Sequence, residues 1–187
     1  TSIPVTPPKD GVEIISTAEI KNSGKLDLSK IRKISIPQKY VDEHLIQKND
    51  ILFNWRNSQE HVGKTALVEF EPKTPLIFAS FILRIRCKEK AYFRYIHHLL
   101  TYYRNQGIFF RLSRRAVGQA NFNANELANL EIPLPSFQEQ KQIADIVDIC
   151  DEKINRLEQE RTLTQEFFIS LLDQLVTGNI SVKTLES

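Results

Sequence analysis

Apolar positions change their period along this chain near residue 136. Stepping by four and three from Ile143 gives Val147, Cys150, Ile154, Leu157, Arg161, Thr164, Phe168, Leu171 and Leu175, and eight of these ten are apolar. A seam repeating every 3.5 residues predicts a coiled-coil helix, not the broader stripe of a helix lying on a globule. Arg161 and Thr164 interrupt it near the middle, where polar residues fix register and orientation. A second row, Ile146, Ile149, Leu163, Phe167, Leu172 and Val176, widens the apolar face toward both ends. The breakers agree: every proline lies at or before Pro135, and no glycine falls between Gly118 and Gly178. An unbroken helix over Phe137–Thr177 follows. Ser136 and Glu139 have the spacing of a capping box, and Gly178-Asn179 are residue types that close helices. Such a rod is roughly 60 Å long.

Upstream the apolar residues gather in short runs instead. Val12–Ile15, Asp50–Trp55, Thr65–Phe70 and Leu76–Arg86 read as strands, separated by short polar loops. With few helical patterns between them, antiparallel pairing is expected over a βαβ series. Ala91–Gln106 is a helix with Phe93, Ile96, Leu99, Leu100 and Tyr103 on one face, and Asn129–Pro133 reads as a last short strand. The expected fold class is α+β: a mixed α/β globular head with mainly antiparallel strands, followed by one long coiled-coil helix. The expected bounds are 1–135 for the head, 136–178 for the helix and 179–187 for a tail.

Composition limits what this architecture does. Apolar residues form 41 % of the chain, enough for a core, and no window reaches the roughly 18 unbroken apolar residues that cross a membrane. The opening Thr1-Ser2-Ile3-Pro4-Val5 has no charged segment followed by an apolar stretch, so export is not expected. It lacks an initiator Met, as a processed or trimmed segment would. Cys87 and Cys150, far apart in apolar surroundings, read as buried free thiols of a reducing, cytoplasmic compartment. The net charge of +2 conceals an asymmetry: residues 137–177 hold nine acidic and four basic side chains, whereas residues 1–136 hold thirteen acidic and twenty basic. Within 84–125 nine basic residues (Arg84, Arg86, Lys88, Lys90, Arg94, Arg104, Arg111, Arg114, Arg115) face Glu89 alone. A basic head on an acidic rod is the footprint of polyanion binding.

The chemistry of the chain narrows this further. There is no glycine-rich phosphate loop, and no zinc spacing among His44, His61, His97, His98 and the cysteines. No catalytic residue, metal or cofactor is expected. Asp10 with Glu19-Ile20-Lys21 resembles a Mg²⁺-nuclease pattern, but Glu71-Pro72-Lys73 matches its second part equally well. What remains suits duplex reading. Trp55-Arg56-Asn57-Ser58-Gln59 offers Arg and Asn for base edges, and Arg111-Leu112-Ser113-Arg114-Arg115 offers phosphate contacts. Gly118-Gln119-Ala120-Asn121-Phe122-Asn123 is a second amide-rich loop. Arg56, Asn57, Gln119 and Asn121 are assigned to bases, Lys64, Arg111, Arg114 and Arg115 to phosphates, with Ser58 and Ser113 beside them.

Pro133-Leu134-Pro135-Ser136-Phe137-Gln138-Glu139-Gln140-Lys141-Gln142-Ile143 and Leu171–Ile180 resemble the conserved helix of type I restriction-modification specificity subunits. Asp50–Ser58, Val62–Val68 and Ala116–Asn123 resemble the target recognition domain of that family, and the match is collinear over about 12–182. The resemblance implies a non-catalytic subunit. Such subunits carry two recognition domains, each reading half of a split site. Two antiparallel helices between them act as a ruler and bind methyltransferase subunits, and through these the restriction subunit. This chain departs in length, with one recognition domain, one helix and an abbreviated stretch before Pro4, as a half-subunit would, natural or cut from a longer chain. The bare seam then implies a homodimer paired through Ile143, Val147, Cys150, Ile154, Leu157, Phe168, Leu171 and Leu175. Two other readings stand beside this one: a coiled-coil interaction protein without DNA specificity, and a stand-alone Mg²⁺ nuclease.

Overall fold

The computed structural model describes residues 11–58, 61–116 and 119–180, with 114–116 and 119–121 described by their backbone. The elements run β1 (Val12–Ile15), β2 (Arg32–Ile34), α1 (Gln38–His44), β3 (Ile51–Asn54), β4 (Arg56–Asn57), β5 (Thr65–Leu67), β6 (Leu76–Phe78) and β7 (Ile82–Ile85). There follow α2 (Phe93–Asn105), α3 (Ile108–Leu112), β8 (Arg114–Ala116), β9 (Gln119–Asn121), α4 (Ala124–Ala128) and α5 (Phe137–Val176). Among the described residues three three-stranded sheets form, ordered β2-β1-β6, β5-β3-β7 and β4-β9-β8. Every pairing is antiparallel except β1 with β6. The fold is thus the α+β architecture with a long C-terminal helix that the periodicity predicts.

Strand β3 organises the head because its residues, Ile51-Leu52-Phe53-Asn54, are buried on both faces. Successive strand side chains point to opposite faces. Ile51 and Phe53 therefore pack with Tyr95, Ile96 and Leu100 of α2 and with Phe109 and Phe122. Leu52 packs on the other side with Ile15, Ile20, Ala66, Val68, Leu76 and Ile82. A third cluster, Ile14, Ile34, Val41 and Ile77, seats α1 on the first sheet.

Two strand expectations change. The single strand expected over Leu76–Arg86 is broken at Ala79-Ser80-Phe81 by a turn closed from Ile82 N to Ala79 O at 3.0 Å. The break sends β6 to the first sheet and β7 to the second; an apolar run carries no mark of a reversal inside it. No strand forms over Asn129–Pro133. Asn129 closes α4 instead, and Pro133 and Pro135 have no N–H to offer a ladder.

Contacts divide the chain into two compact units at Ala144–Asp145, so the first two turns of α5 belong to the head. Those turns are held by Gln140, a fully buried amide. Its Oε1 accepts from Tyr92 N at 2.8 Å, and its Nε2 donates to Lys90 O and Pro135 O, each at 2.9 Å. Ser136 Oγ accepts from Glu139 N at 3.3 Å, giving the first half of the expected capping box. Replacing the amide strands one buried N–H and two carbonyls. Gln140→Leu should therefore lower the head's stability by about 2 kcal/mol in urea denaturation, whereas Gln142→Leu, on an exposed position of the same turn, should change it little.

The second unit is the remaining length of α5. The helix spans 40 residues and ends at Gly178, whose φ of 76° opens the left-handed conformation that closes helices. No helix among the described residues is long and apolar enough to cross a membrane. The cysteines differ from expectation: Cys150 is exposed on α5, and Cys87 is half-buried, with burial raising its thiol pKa. A thiol in a coiled-coil seam is apolar in pattern yet stays in solvent until something packs on it.

Candidate nucleic-acid interface

The three segments picked out for base and phosphate contact converge on one small sheet, ordered β4-β9-β8. Arg56 of β4 is in register with Asn121 of β9, which is in register with Arg114 of β8. The next row is Asn57, Ala120 and Arg115, and Ala116 pairs with Gln119. Arginines and amides from segments about sixty residues apart thus stand in adjacent rows of one antiparallel ribbon.

The aromatic core positions this ribbon. Phe122, immediately after β9, is buried, with ring centroids 6.1 Å from Phe53 and 5.1 Å from Phe109, and its N–H donates to Trp55 O at 2.8 Å. Trp55, between β3 and β4, donates from Nε1 to Ser80 O at 2.9 Å and from its backbone to Phe81 O at 3.1 Å. Gly63 has a φ of 79°, and a Cβ there would lie 2.3 Å from the Phe109 ring, so only glycine lets the backbone pass this close to the cluster.

Around the ribbon, Arg56 places its guanidinium 5.1 Å from the centre of the Phe81 ring, which is 42 % exposed. This stack pre-orients a long side chain beside solvent. Phe81 escapes sequence reasoning because it sits inside an apolar run; a Phe at the break of that run is the signal that identifies it. Asn57 Oδ1 accepts from Ser58 N at 2.8 Å, and Ser58 is exposed. Arg111 is exposed at the end of α3, with one guanidinium N–H donated to Gln106 O at 2.5 Å. The loop residues Gln59 and Gly118 lie outside the described residues.

Two assigned contacts are corrected. Lys64 is 8 % exposed, and its ammonium donates to Ile20 O at 2.9 Å and to Thr17 O at 3.4 Å. Burial first, then the nearby positive charges of Arg104 and Lys21, hold its pKa below the ordinary lysine value. It tethers the 17–20 loop and is not available to a phosphate. Ser113 is buried too, donating to Phe110 O at 2.9 Å. The basic stretch 84–125 also fails to become one patch. Arg84 serves Leu45 O, Arg86 pairs with Asp50, Arg94 with Glu69 and Arg104 with Asn22. Arg111, Arg114 and Arg115 are the basic residues of that stretch that border or form the ribbon.

The nuclease pattern dissolves in the same way. The Glu19 carboxylate accepts from Ser16 N and Oγ at 2.7 and 2.6 Å, Lys21 pairs with Asp27 at 2.9 Å, and Asp10 lies outside the described residues. Hydrogen bonds from Ser29 and Lys21 hold the Asp27 carboxyl well below the usual carboxylate range. Among the described residues, no three His, Cys, Asp or Glu side chains gather as a metal site.

Residues 8–165 match the family model described as the type I restriction modification DNA specificity domain. The chain is 30 % identical over 167 residues to a putative type I restriction enzyme MjaX specificity subunit of Methanocaldococcus jannaschii, covering 89 % of this chain and 39 % of that protein. It is 27 % identical to the type I restriction enzyme EcoBI specificity subunit of Escherichia coli, covering 94 % of this chain and 37 % of that one. Two solved structures share the fold. One belongs to work on complex assembly and conformational transition of the type I R-M system, with a TM-score of 0.65 at 17 % identity over 90 % of this chain and 41 % of that one. The other is the HsdS subunit from Thermoanaerobacter tengcongensis, with a TM-score of 0.62 at 20 % identity over 88 % of this chain and 42 % of that one. The chain spans about two fifths of the length of these relatives.

Proposed function

The chain belongs to the type I restriction modification DNA specificity domain family, and from that premise we propose that it reads one half of a split duplex target through the β4-β9-β8 ribbon. The observation that carries this is the convergence of Arg56, Asn57, Gln119 and Asn121 with Arg114 and Arg115 in paired rows. A β-ribbon fits the major groove of B-DNA, where arginine makes paired hydrogen bonds to guanine and asparagine or glutamine to adenine. Arg56, Asn57, Gln119 and Asn121 read bases in this arrangement; Arg111, Arg114 and Arg115 grip phosphates. The two curated relatives are named specificity subunits, and in this reading the chain is one too and breaks no bond itself.

Helix α5 supplies the second half of the function. Ile154, Leu157 and Phe168 of the seam are more than half exposed in a single chain, which supports pairing with a second copy and a recognition head at each end of the rod. Ile146, Ile149, Leu163 and Phe167, also exposed, fall on the flank beside the seam. Methyltransferase subunits would cover them, and the restriction subunit would join through these.

The test is binding to randomised duplexes across a salt series, with and without Mg²⁺. Affinity should fall steeply with salt, and the duplex should stay uncut in Mg²⁺. Arg56→Ala should cost about 1–3 kcal/mol on the preferred site and flatten the preference at one base pair. Arg111→Ala should weaken all duplexes alike and reduce the salt slope by about one. Indistinguishable sequence profiles for the two variants would remove the base-reading role, and salt-independent binding would remove the DNA reading altogether.

A further inference from the structure

Resting on the reading that two copies pair antiparallel through α5, we propose that they do so in one register, with the two-fold axis between Thr162 and Leu163, so that Arg161 of each copy lies opposite Thr164 of the other. The observation is a concavity on the seam lined by Leu157, Glu160, Arg161, Thr164, Gln165 and Phe168. Arg161 and Thr164 lie along it between the flanking Leu157 and Phe168. Its lining is its own mirror image: reversed on itself, Leu157 meets Phe168, Glu160 meets Gln165, and Arg161 meets Thr164. Each pair is chemically matched, apolar with apolar and donor with acceptor. The same register places Ile154 opposite Leu171 and Cys150 opposite Leu175, so every apolar seam position between Cys150 and Leu175 faces an apolar one.

The competing registers fail on named contacts. Sliding one copy by a heptad, so that Ile143 faces Leu175, sets Arg161 against Leu157 and Thr164 against Ile154. Four layers of the dimer would then bury a polar group without a partner. A parallel pair opposes Arg161 to Arg161 and also aligns the acidic stretch 137–152, which carries five acids and Lys141, with its copy. The antiparallel pair in this register instead keeps the two acidic stretches apart, setting each against residues from 173 onward, where the charged residues are Asp173, Lys183 and Glu186. Arg161 and Thr164 are thus the specificity determinants of the pairing: they make the wrong registers costly.

The native Cys150 reports the register. In the full chain under a glutathione redox buffer, Leu175→Cys should form a disulfide-linked dimer whose peptide map joins residues 150 and 175 of different copies. Phe168→Cys should stay largely unlinked, because Cys150 faces it only after the heptad slide. Arg161→Leu with Thr164→Val, which together remove the penalty on sliding, should leave the protein dimeric and let both links form. Preferential linkage in Phe168→Cys, or a Cys150–Cys150 link in the unaltered chain, would overturn the register. An unaltered chain that sediments as a monomer at tens of micromolar would instead overturn the pairing itself, so the two failures are distinguishable.

Discussion

Arg86→Ala should lower the stability of the head by about 3 kcal/mol and move its urea midpoint down by roughly 1.5 M. Asp50 is fully buried, and its carboxylate accepts from Arg86 Nε at 2.7 Å and Nη2 at 2.8 Å. The Gln47 N–H adds a third bond at 2.7 Å. The hydrogen bonds to Asp50 hold the guanidinium above its ordinary pKa against the opposing effect of burial. Asp50 also fixes the edge of the central sheet, where its carbonyl accepts from Val68 N at 2.9 Å. Removing the arginine leaves a buried charge with one amide donor, which is far costlier than the pair itself is favourable. The expected loss sits at the low end for buried pairs because the Arg86 side chain is 45 % exposed. Arg86→Met with Asp50→Leu, which removes both charges, should recover a large part of it. A loss below 1 kcal/mol for Arg86→Ala would show that water reaches Asp50.

The long helix was legible because one signal, a 3.5-residue apolar period without breakers, extends over forty residues and needs no tertiary context. The head was legible where strands carry unbroken apolar runs, as in Ile51–Phe53. It was not legible where the chain reverses within an apolar run, as at Ala79–Phe81, or where elements are two or three residues long. Strand β4 is only Arg56-Asn57, and it exists because β9 comes to it from sixty residues away. The three recognition segments could be picked out by residue type, but their assembly into one ribbon depends on Phe122 entering the Phe53–Phe109 cluster, which no local pattern announces. Lys64 and Ser113 were misassigned for a related reason. A lysine next to a recognition loop looks solvated, and only the carbonyls of Thr17 and Ile20, brought in by a separate loop, reveal that it is structural. Four arginines of the basic stretch are spent on internal partners in the same way, so charge density along the sequence overstated the charge of the surface.

Replacing Ile154 and Leu157 together by Asp should convert the proposed dimer to a monomer in sedimentation velocity while leaving the head folded. Both residues are more than half exposed in the single chain, at 53 % and 55 %, so within one copy the change disturbs no core. In the pair it would place four carboxylates in an apolar seam with no cation assigned to them. Each costs several kcal/mol to desolvate, so the dimer dissociation constant should rise by a factor of about 10³ or more. The near-ultraviolet circular dichroism and the urea midpoint of the head should be unchanged. Duplex binding should respond by geometry: two linked heads gain a factor of roughly 10²–10⁴ on a split site over one head on half of it. The double variant should lose that factor and bind split and half sites alike. Ile149→Asp, on the flank beside the seam, separates this from a general effect of adding charge to α5. It should leave sedimentation and split-site preference intact and weaken only the capture of methyltransferase subunits. If the Ile154, Leu157 variant stays dimeric, the exposed seam belongs to another partner, and the spacing of the two half-sites is set by that partner instead of by a second copy.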